Sequence, residues 1–222
     1  DVGGEPKPIK VAPVPRRYRG CDHSVMTETK EYIMKIGNPI DKATGGAAAA
    51  GEIVGHARSE KTRATALKLG ICDKVFATAA EAVAGADLVI LCVPVGSCGA
   101  VAAEIGPHLQ AGSILTDVGS VKGAILRDCG PHVPKGVHFI PGHPIAGTEQ
   151  SGPEAGFAEL FDNRWCILTP PEGSDTQKVA ALEAFWRGLG SKVEIMDAAH
   201  HDLVLAITSH VPHLIAYNIV IM

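Results

Sequence analysis

Residues 87–93 read DLVILCV, and residues 113–118 read SILTDV. The first run is apolar at every position after Asp87, which is typical of a strand whose two faces are both covered. Residues 97–109, between the two runs, have the spacing of a helix. A strand, a helix and a second strand in this order predict a parallel pair with a helical crossover, and therefore an α/β fold.

The same alternation continues toward both ends of the chain. The other predicted strands lie at residues 52–57, 74–77, 137–141, 165–169 and 192–196, and the other predicted helices at residues 59–69, 78–85, 121–129 and 176–189. Ser59 and Gly70 are typical of a helix start and stop, and Thr78 with Glu81 forms a capping box. We therefore predict a doubly wound, mostly parallel (Rossmann-like) sheet over residues 51–196.

Both flanks of this region depart from the pattern. Residues 1–50 are predicted to be either poorly ordered or a makeshift first βα unit, in which residues 32–37 (YIMKIG) form a short strand and residues 36–39 a stand-in turn. Residues 197–222 are predicted to begin a second, helical domain that the chain does not finish, and the resemblance described below implies a role in dimerisation or substrate binding. Pro212 interrupts its first helix.

The composition excludes several classes of function. Of 222 residues, 46% are hydrophobic and 20% charged, with a net charge of −4, as in an ordinary globular protein. No Lys/Arg cluster indicates nucleic-acid binding, and no apolar run reaches the roughly 18 residues of a membrane span. The six cysteines form no CxxC pair. We therefore expect no zinc ribbon, single buried thiols and a cytoplasmic location.

Ligands of such sheets bind beyond the carboxyl ends of the strands. Pro94 and Val95 follow the strand at residues 87–93 and can bring backbone close to a ribose. Gly119 and Ser120 follow the strand at residues 113–118 and offer backbone N–H groups and a hydroxyl. A dinucleotide cofactor is therefore expected at this edge, although no GxGxxG phosphate loop occurs in residues 1–60.

The tip of the strand at residues 52–57 bears on the choice between NAD and NADP. An acidic residue normally holds the adenosine ribose at this position. Here the tip continues into Arg58 and Ser59, which suit a 2′-phosphate, so NADP is favoured over NAD. The alternative interpretation of Arg58 is a solvated residue at a helix start.

His143 is the strongest candidate for a catalytic group. It follows a predicted strand and stands in a turn between Pro141 and Pro144, a stiff backbone that aims its ring at the cleft. Imidazole has a pKa near 6.5, so it can take a hydroxyl proton at neutral pH, as oxidation of an alcohol requires. The alternative is a turn histidine satisfied by backbone.

Other polar residues surround this candidate in the sequence. Ser120 either orients His143, bonds the substrate hydroxyl or caps the helix at residues 121–129. Lys122 is predicted to be a solvated first-turn residue rather than a catalytic one. Thr148 and Glu149 either contact the substrate or shape the loop after His143.

The last predicted helix carries four histidines, at positions 200, 201, 210 and 213. They do not share one face of a straight helix, so no metal site is predicted. His213, beside the Pro212 kink, is either a donor on the substrate side or a buried histidine.

Five segments carry a family resemblance: EIVGHARS (52–59), DLVILCVPV (87–95), SILTDVGSVK (113–122), FIPGHPIAGTEQSG (139–152) and HHDLVLAITSHVPHLIAYNIV (200–220). In this order and spacing they resemble prephenate/arogenate (cyclohexadienyl) dehydrogenases of tyrosine biosynthesis. DVGSVK followed by GHPIAGTE is the specific signal.

The resemblance implies a reaction and assigns residues to it. The ring C4 of prephenate or arogenate gives a hydride to NAD(P)+, the ring carboxylate leaves as CO2, and the ring aromatises. His143 deprotonates the C4 hydroxyl with support from Ser120, while Glu149 and His213 line the substrate pocket. The positions near the ribose and nicotinamide are Pro94, Val95, Asp117 and Ser120. A homodimer is expected for the complete family member.

Two departures from the family leave alternatives open. The first strand with its GxGxxG loop is not recognisable, and no residue here matches the arginine that the family's helical domain supplies. We expect a shifted reading frame or a truncation at each end. The alternatives are a catalytically inactive fragment of such an enzyme and a 3-hydroxyacid-type NAD(P) dehydrogenase. The latter is disfavoured because residues 193–222 contain no catalytic lysine.

Overall fold

A computed structural model describes residues 52–147, 152–157 and 159–212, together with the backbone of a strand at residues 32–36. In chain order the strands are β1 Tyr32–Ile36, β2 Ile53–His56, β3 Lys74–Phe76, β4 Leu88–Cys92, β5 Ile114–Asp117, β6 His138–Phe139, β7 Gly142–Pro144, β8 Trp165–Leu168 and β9 Lys192–Ile195. The α-helices are α1 Glu60–Lys68, α2 Ala79–Val83, α3 Val95–Ile105, α4 Lys122–Cys129, α5 Thr176–Gly188 and α6 Ala198–Leu205.

The predicted α/β architecture is confirmed. Within the described residues, six strands form one sheet in the order β3-β2-β1-β4-β5-β6. Strands β2 and β3 are parallel to each other, as are β4, β5 and β6. The helix signals are also correct, because Ser59 caps α1, Gly70 follows it with a φ of +73°, and Thr78 and Glu81 form the capping box of α2.

Strand β1 lies in the centre of this sheet but runs against its neighbours. It pairs antiparallel with β2 on one side and with β4 on the other. Its last residue, Ile36, lies opposite Ile53 and Leu88, which are the first residues of those strands. Strand β1 therefore ends at the amino edge of the parallel strands, opposite the edge where a phosphate turn is needed. The expected stand-in phosphate turn at residues 36–39 lies, after Ile36, outside the described residues.

Strand β4 shows why a wholly apolar run was needed. Leu88, Ile90 and Cys92 belong to the apolar cluster on one side of the sheet, while Val89 and Leu91 belong to the cluster on the other. Successive strand residues point to opposite faces, so a strand covered on both sides must be apolar throughout.

A second sheet, which the sequence did not predict, carries His143. It has the order β7-β8-β9, with β7 antiparallel and β9 parallel to β8. Pro141 lies where the chain passes from the first sheet to the second. Because proline has no N–H, it cannot extend the ladder between β5 and β6. The expected Gly142-His143-Pro144 turn is therefore a buried strand.

Two of the predicted helices differ in detail from the structure. Helix α3 begins at Val95, two residues earlier than predicted, and passes into a 3₁₀ turn at Gly106–His108. The last helix is α-helical over Ala198–Leu205 and widens into a π-helical turn at Ala206–His210, just before Pro212.

Among the described residues, five cysteines are buried free thiols, as expected. No described helix combines the length and hydropathy needed to cross a membrane. Residues 1–31 lie outside the described residues.

Candidate active site

The carboxyl ends of β4 and β5 form one edge of the candidate site. The two strands are parallel neighbours, so the turns that follow them meet. A β-carbon at Gly119 would come within 2.9 Å of both the Val95 side chain and the Asp117 carboxylate. The glycine therefore lets the two turns pack closely, at the edge where ligands of such sheets bind.

A buried ion pair ties this edge to the strand that carries His143. The Lys122 ammonium contacts the Asp117 carboxylate, and both side chains are fully buried. Lys122 also donates to the Gly142 carbonyl over 2.6 Å, while the backbone N–H groups of Gly119 and Gly142 donate to Asp117 at 2.7 and 3.2 Å. The pair therefore holds the turn after β5 against β7.

The prediction of a solvated Lys122 is wrong. Its place at the start of α4 is consistent with a surface position, but its side chain turns inward to Asp117 at the end of β5. A buried charge requires a partner of opposite sign, and that partner is visible only after folding.

His143 was expected to face an open cleft from a turn, and the structure contradicts this. It lies in the buried strand β7. It is 8% exposed, and its Nδ1 lies 2.9 Å from Nε2 of His201 on α6. The two rings meet edge to face, with centroids 5.1 Å apart. His143 is therefore satisfied by a second imidazole rather than by backbone.

Asp202 extends this pair to a chain of three groups. His201 is fully buried, and its Nδ1 lies 2.8 Å from Oδ1 of Asp202. The same carboxylate accepts the backbone N–H groups of Lys122 and Gly123, each at 2.8 Å. It thus caps the N-terminus of α4, where unpaired N–H groups and the helix dipole favour a negative charge.

Burial and charge keep both imidazoles neutral. Burial lowers the pKa of His143 to about 3, and the nearby Lys122 cation adds to this effect. Burial also lowers the pKa of His201, although the hydrogen bond to Asp202 opposes the change. Both rings therefore offer a lone pair at neutral pH.

Asp202 stays ionised for a different reason. Its partial burial raises the pKa of the carboxyl, but the N–H groups of Lys122 and Gly123, with His201, outweigh this and lower it overall. The carboxylate is therefore a fixed hydrogen-bond acceptor at one end of the chain.

Ser120 is not the helix cap that one interpretation proposed. The N-cap of α4 is Val121, without a side-chain cap bond, and Asp202 supplies the acceptor instead. Ser120 is exposed in the turn after β5. The hydrogen bond of the His143 ring goes from Nδ1 to His201. Direct support of His143 by Ser120 therefore stays a prediction.

The predicted cofactor residues lie along the carboxyl edge. Pro94 is exposed and precedes α3, and Val95 begins that helix. Asp117 is buried, and its oxygens accept the N–H groups of Gly119 and Gly142. Its side chain therefore holds the turn after β5 in place. Contact of any of these residues with a cofactor stays a prediction.

Arg58 and Ser59 follow the carboxyl end of β2. Arg58 is exposed, and its carbonyl accepts from Arg63 at 3.0 Å. The Ser59 hydroxyl accepts the Thr62 N–H at 3.4 Å and so caps α1. The Ser59 hydroxyl thus already serves as the N-cap of α1.

Three predicted substrate residues, Thr148, Glu149 and His213, lie outside the described residues. The described ranges contain no group of three or more His, Cys, Asp or Glu side chains arranged as metal ligands. Sequence reasoning missed the parts played by His201 and Asp202. Their only signal was membership of the last family-like segment, because helical spacing does not reveal a partner on another element.

Known proteins resemble this chain in sequence. The sequence profile described as "Prephenate dehydrogenase, nucleotide-binding domain" matches residues 42–195. The cyclohexadienyl dehydrogenase of Zymomonas mobilis is 45% identical over 160 residues, which are 72% of this chain and 54% of that protein. The chain therefore spans about half the length of this relative.

Solved structures show the same relationship. A prephenate dehydrogenase from Aquifex aeolicus superposes with a TM-score of 0.71 at 33% identity, covering 77% of this chain and 61% of that one. The A. aeolicus enzyme in complex with hydroxyphenyl propionate and NAD+ gives a TM-score of 0.69 at 31% identity, covering 77% and 59%. With the profile match over most of its length, the chain belongs to the prephenate dehydrogenase family and contains that family's nucleotide-binding domain.

Proposed function

We propose that this protein serves the oxidative decarboxylation of prephenate or arogenate with NAD(P)+, which yields 4-hydroxyphenylpyruvate or tyrosine. The observation that carries the proposal is the neutral imidazole of His143, backed by His201 and tied by Lys122 to the turn after β5. Membership of the family supports the same chemistry.

His143 is proposed to act as general base. When bound, the nicotinamide supplies the acceptor for the hydride that leaves C4. His143 accepts the C4 hydroxyl proton through Nε2, since Nδ1 is engaged with His201. As the hydride departs, the hydroxyl becomes more acidic, so a weakly basic imidazole suffices. The C–C bond to the carboxylate breaks, its electron pair closes the aromatic ring, and the phenol oxygen recovers the proton.

The described residues fit the ribose and nicotinamide half of the cofactor. Pro94, Val95 and the turn after Asp117 stand together at the carboxyl edge, where Gly119 lets that turn pack against Val95. Ser120 lies in the same turn and is proposed to support the proton transfer.

The phosphate half finds less support among the described residues. Because β1 runs antiparallel, its carboxyl end lies at the edge opposite the carboxyl ends of β2 and β4. A phosphate loop needs the turn after the first strand at the carboxyl edge. This observation favours the alternative of a catalytically inactive member of the family.

We propose NADP as the preferred cofactor. The support is an exposed Arg58 at the carboxyl end of β2, where no carboxylate stands among residues 56–59 to repel a 2′-phosphate. Ser59 is proposed to assist through the helix start that it caps.

Substrate contacts are proposed for Thr148, Glu149 and His213 on the resemblance alone. We propose that residues 51–196 are the nucleotide-binding domain and that residues 197–222 begin a helical domain through which the protein forms a homodimer. Exposed Leu203, Ile207 and Val211, spaced four residues apart on the last helix, support such an interface. The buried free thiols support a cytoplasmic location.

One set of measurements separates activity from its absence. The protein is titrated with NAD+ and NADP+ by calorimetry and assayed with prephenate and arogenate, following absorbance of the reduced cofactor. We expect micromolar binding and turnover, and His143→Asn nearly abolishes turnover while leaving cofactor affinity unchanged. Absence of binding at millimolar cofactor supports the inactive alternative, and full activity of His143→Asn removes His143 from its role.

A further inference from the structure

The three groups His143, His201 and Asp202 share two hydrogen bonds, and their protons have to be distributed between them. A neutral imidazole carries one N–H and one bare nitrogen. Each ring–ring or ring–carboxylate contact of 2.8 to 2.9 Å therefore needs one donor and one acceptor. Choosing the donor at one contact determines the donor at the next.

The direction of donation is set at the Asp202 end. An ionised carboxylate only accepts hydrogen bonds, so Nδ1 of His201 must carry the proton that lies between them. Asp202 is held in place by the N–H groups of Lys122 and Gly123 at the start of α4, which leaves its Oδ1 directed at His201.

This choice passes through His201 to His143. With its proton on Nδ1, neutral His201 presents a bare Nε2 and can only accept there. Nδ1 of His143, 2.9 Å away, must then donate. Nε2 of His143 is left without a proton, as a hydrogen-bond acceptor. The buried Lys122 cation opposes a second proton on His143, because like charges repel in a poorly solvated site.

We propose that His201 and Asp202 are positioning residues that hold His143 in the tautomer with its proton on Nδ1, so that Nε2 is the atom that receives the substrate hydroxyl proton. This inference deepens the function proposed above and rests on it for the identity of the proton donor. The arrangement of protons itself is independent of any substrate.

The tautomers can be measured directly. Protein labelled with ¹⁵N-histidine is examined at pH 7 by long-range ¹⁵N–¹H correlation, in which protonated and bare ring nitrogens have distinct shifts. His143→Gln and His201→Gln assign the two rings. We expect both rings with the proton on Nδ1. A His143 ring protonated on Nε2, or on both nitrogens, overturns the proposal.

Two substitutions at position 201 test whether the partner imposes this state. His201→Leu removes the acceptor, and we expect His143 to shift toward the Nε2–H form. His201→Gln places an amide oxygen near the former Nε2, so His143 retains Nδ1–H. Thermal unfolding of both variants checks that they fold. If His201→Leu folds and leaves His143 on Nδ1–H, His201 has no positioning role.

Kinetics provide a second readout. We expect kcat to fall about 10²- to 10⁴-fold in His201→Leu, the contribution of general-base catalysis, with cofactor affinity unchanged and His201→Gln substantially recovered. Equal loss in both variants contradicts the proposal. If the unsubstituted protein has no turnover, the proposed function fails, yet the tautomer measurement still decides the role of His201 and Asp202.

Discussion

The ammonium of Lys122 donates to the carbonyl of Gly142 over 2.6 Å, from the first residue of α4 to the first residue of β7. The same ammonium contacts the Asp117 carboxylate at the end of β5. This one side chain therefore joins the two sheets beside His143, at the place where the proposed chemistry occurs.

Replacing Lys122 with Met is expected to destabilise the protein strongly. The substitution leaves the Asp117 carboxylate buried without its cation, which costs about 3–5 kcal/mol in comparable buried pairs. Urea denaturation measures the free energy of unfolding. The double variant Lys122→Met with Asp117→Asn removes both charges and is expected to recover part of the loss. A loss below about 1 kcal/mol in the single variant contradicts a buried pair.

The tripeptide Gly-Pro-His occurs twice and provides a matched pair of glycines. Both copies form 3₁₀ turns after a helix, at Gly106–His108 and Gly130–His132, with helical backbone at each glycine. A β-carbon at Gly106 would lie 2.4 Å from the His132 carbonyl oxygen, whereas one at Gly130 would meet nothing within 4 Å.

Gly106→Ala is therefore expected to lower the free energy of unfolding by about 1–3 kcal/mol, since a backbone carbonyl must move. Gly130→Ala is expected to be neutral or to stabilise by up to about 1 kcal/mol through the unfolded chain. Thermal or urea unfolding of the two variants compares them. Equal effects of the two substitutions contradict the predicted contact.

Stability is expected to fall as the pH drops below about 6.5. In that range the unfolded chain binds a proton at His143, whereas burial, with the Lys122 cation, keeps the pKa of the folded residue at about 3. The contribution of neutral His143 to the free energy of unfolding is fully present above pH 6.5. It is lost toward pH 3, at about 1.4 kcal/mol per pH unit. The lowered pKa of His201 acts in the same direction.

Urea unfolding between pH 7 and pH 5 measures this slope. His143→Gln removes one titrating group, so its stability is expected to depend less on pH over the same range. Identical slopes for the two proteins show that His143 titrates normally in the folded state.

The cofactor preference is tested at Arg58. Arg58→Ala is expected to weaken NADP binding about ten- to hundred-fold, the value of a hydrogen bond to a charged group, and to leave NAD binding unchanged. Lys61→Ala, which removes a charge from an exposed residue in the first turn of α1, three residues after Arg58, is the control. Equal weakening by both substitutions indicates only a general effect of charge.

The alternation of strands and helices was predictable because it depends on local pattern. The two faces of β4 each need apolar residues, and DLVILCV satisfies both. Caps such as Ser59 and Thr78 act within three residues, so they can be recognised from the sequence alone. His143 and the turn at Ser120 were found because they follow predicted strands.

Tertiary structure alone decided the partners of the buried charges and rings. Asp202 caps a helix that begins 80 residues earlier, and His201 meets His143 across 58 residues. Sequence periodicity reports which faces are covered but not which element covers them, so it left Lys122 in solvent and did not predict that β1 runs antiparallel to its neighbours. Those choices depend on how strands pair and on which opposite charge shares a dry site, and both exist only in the folded chain.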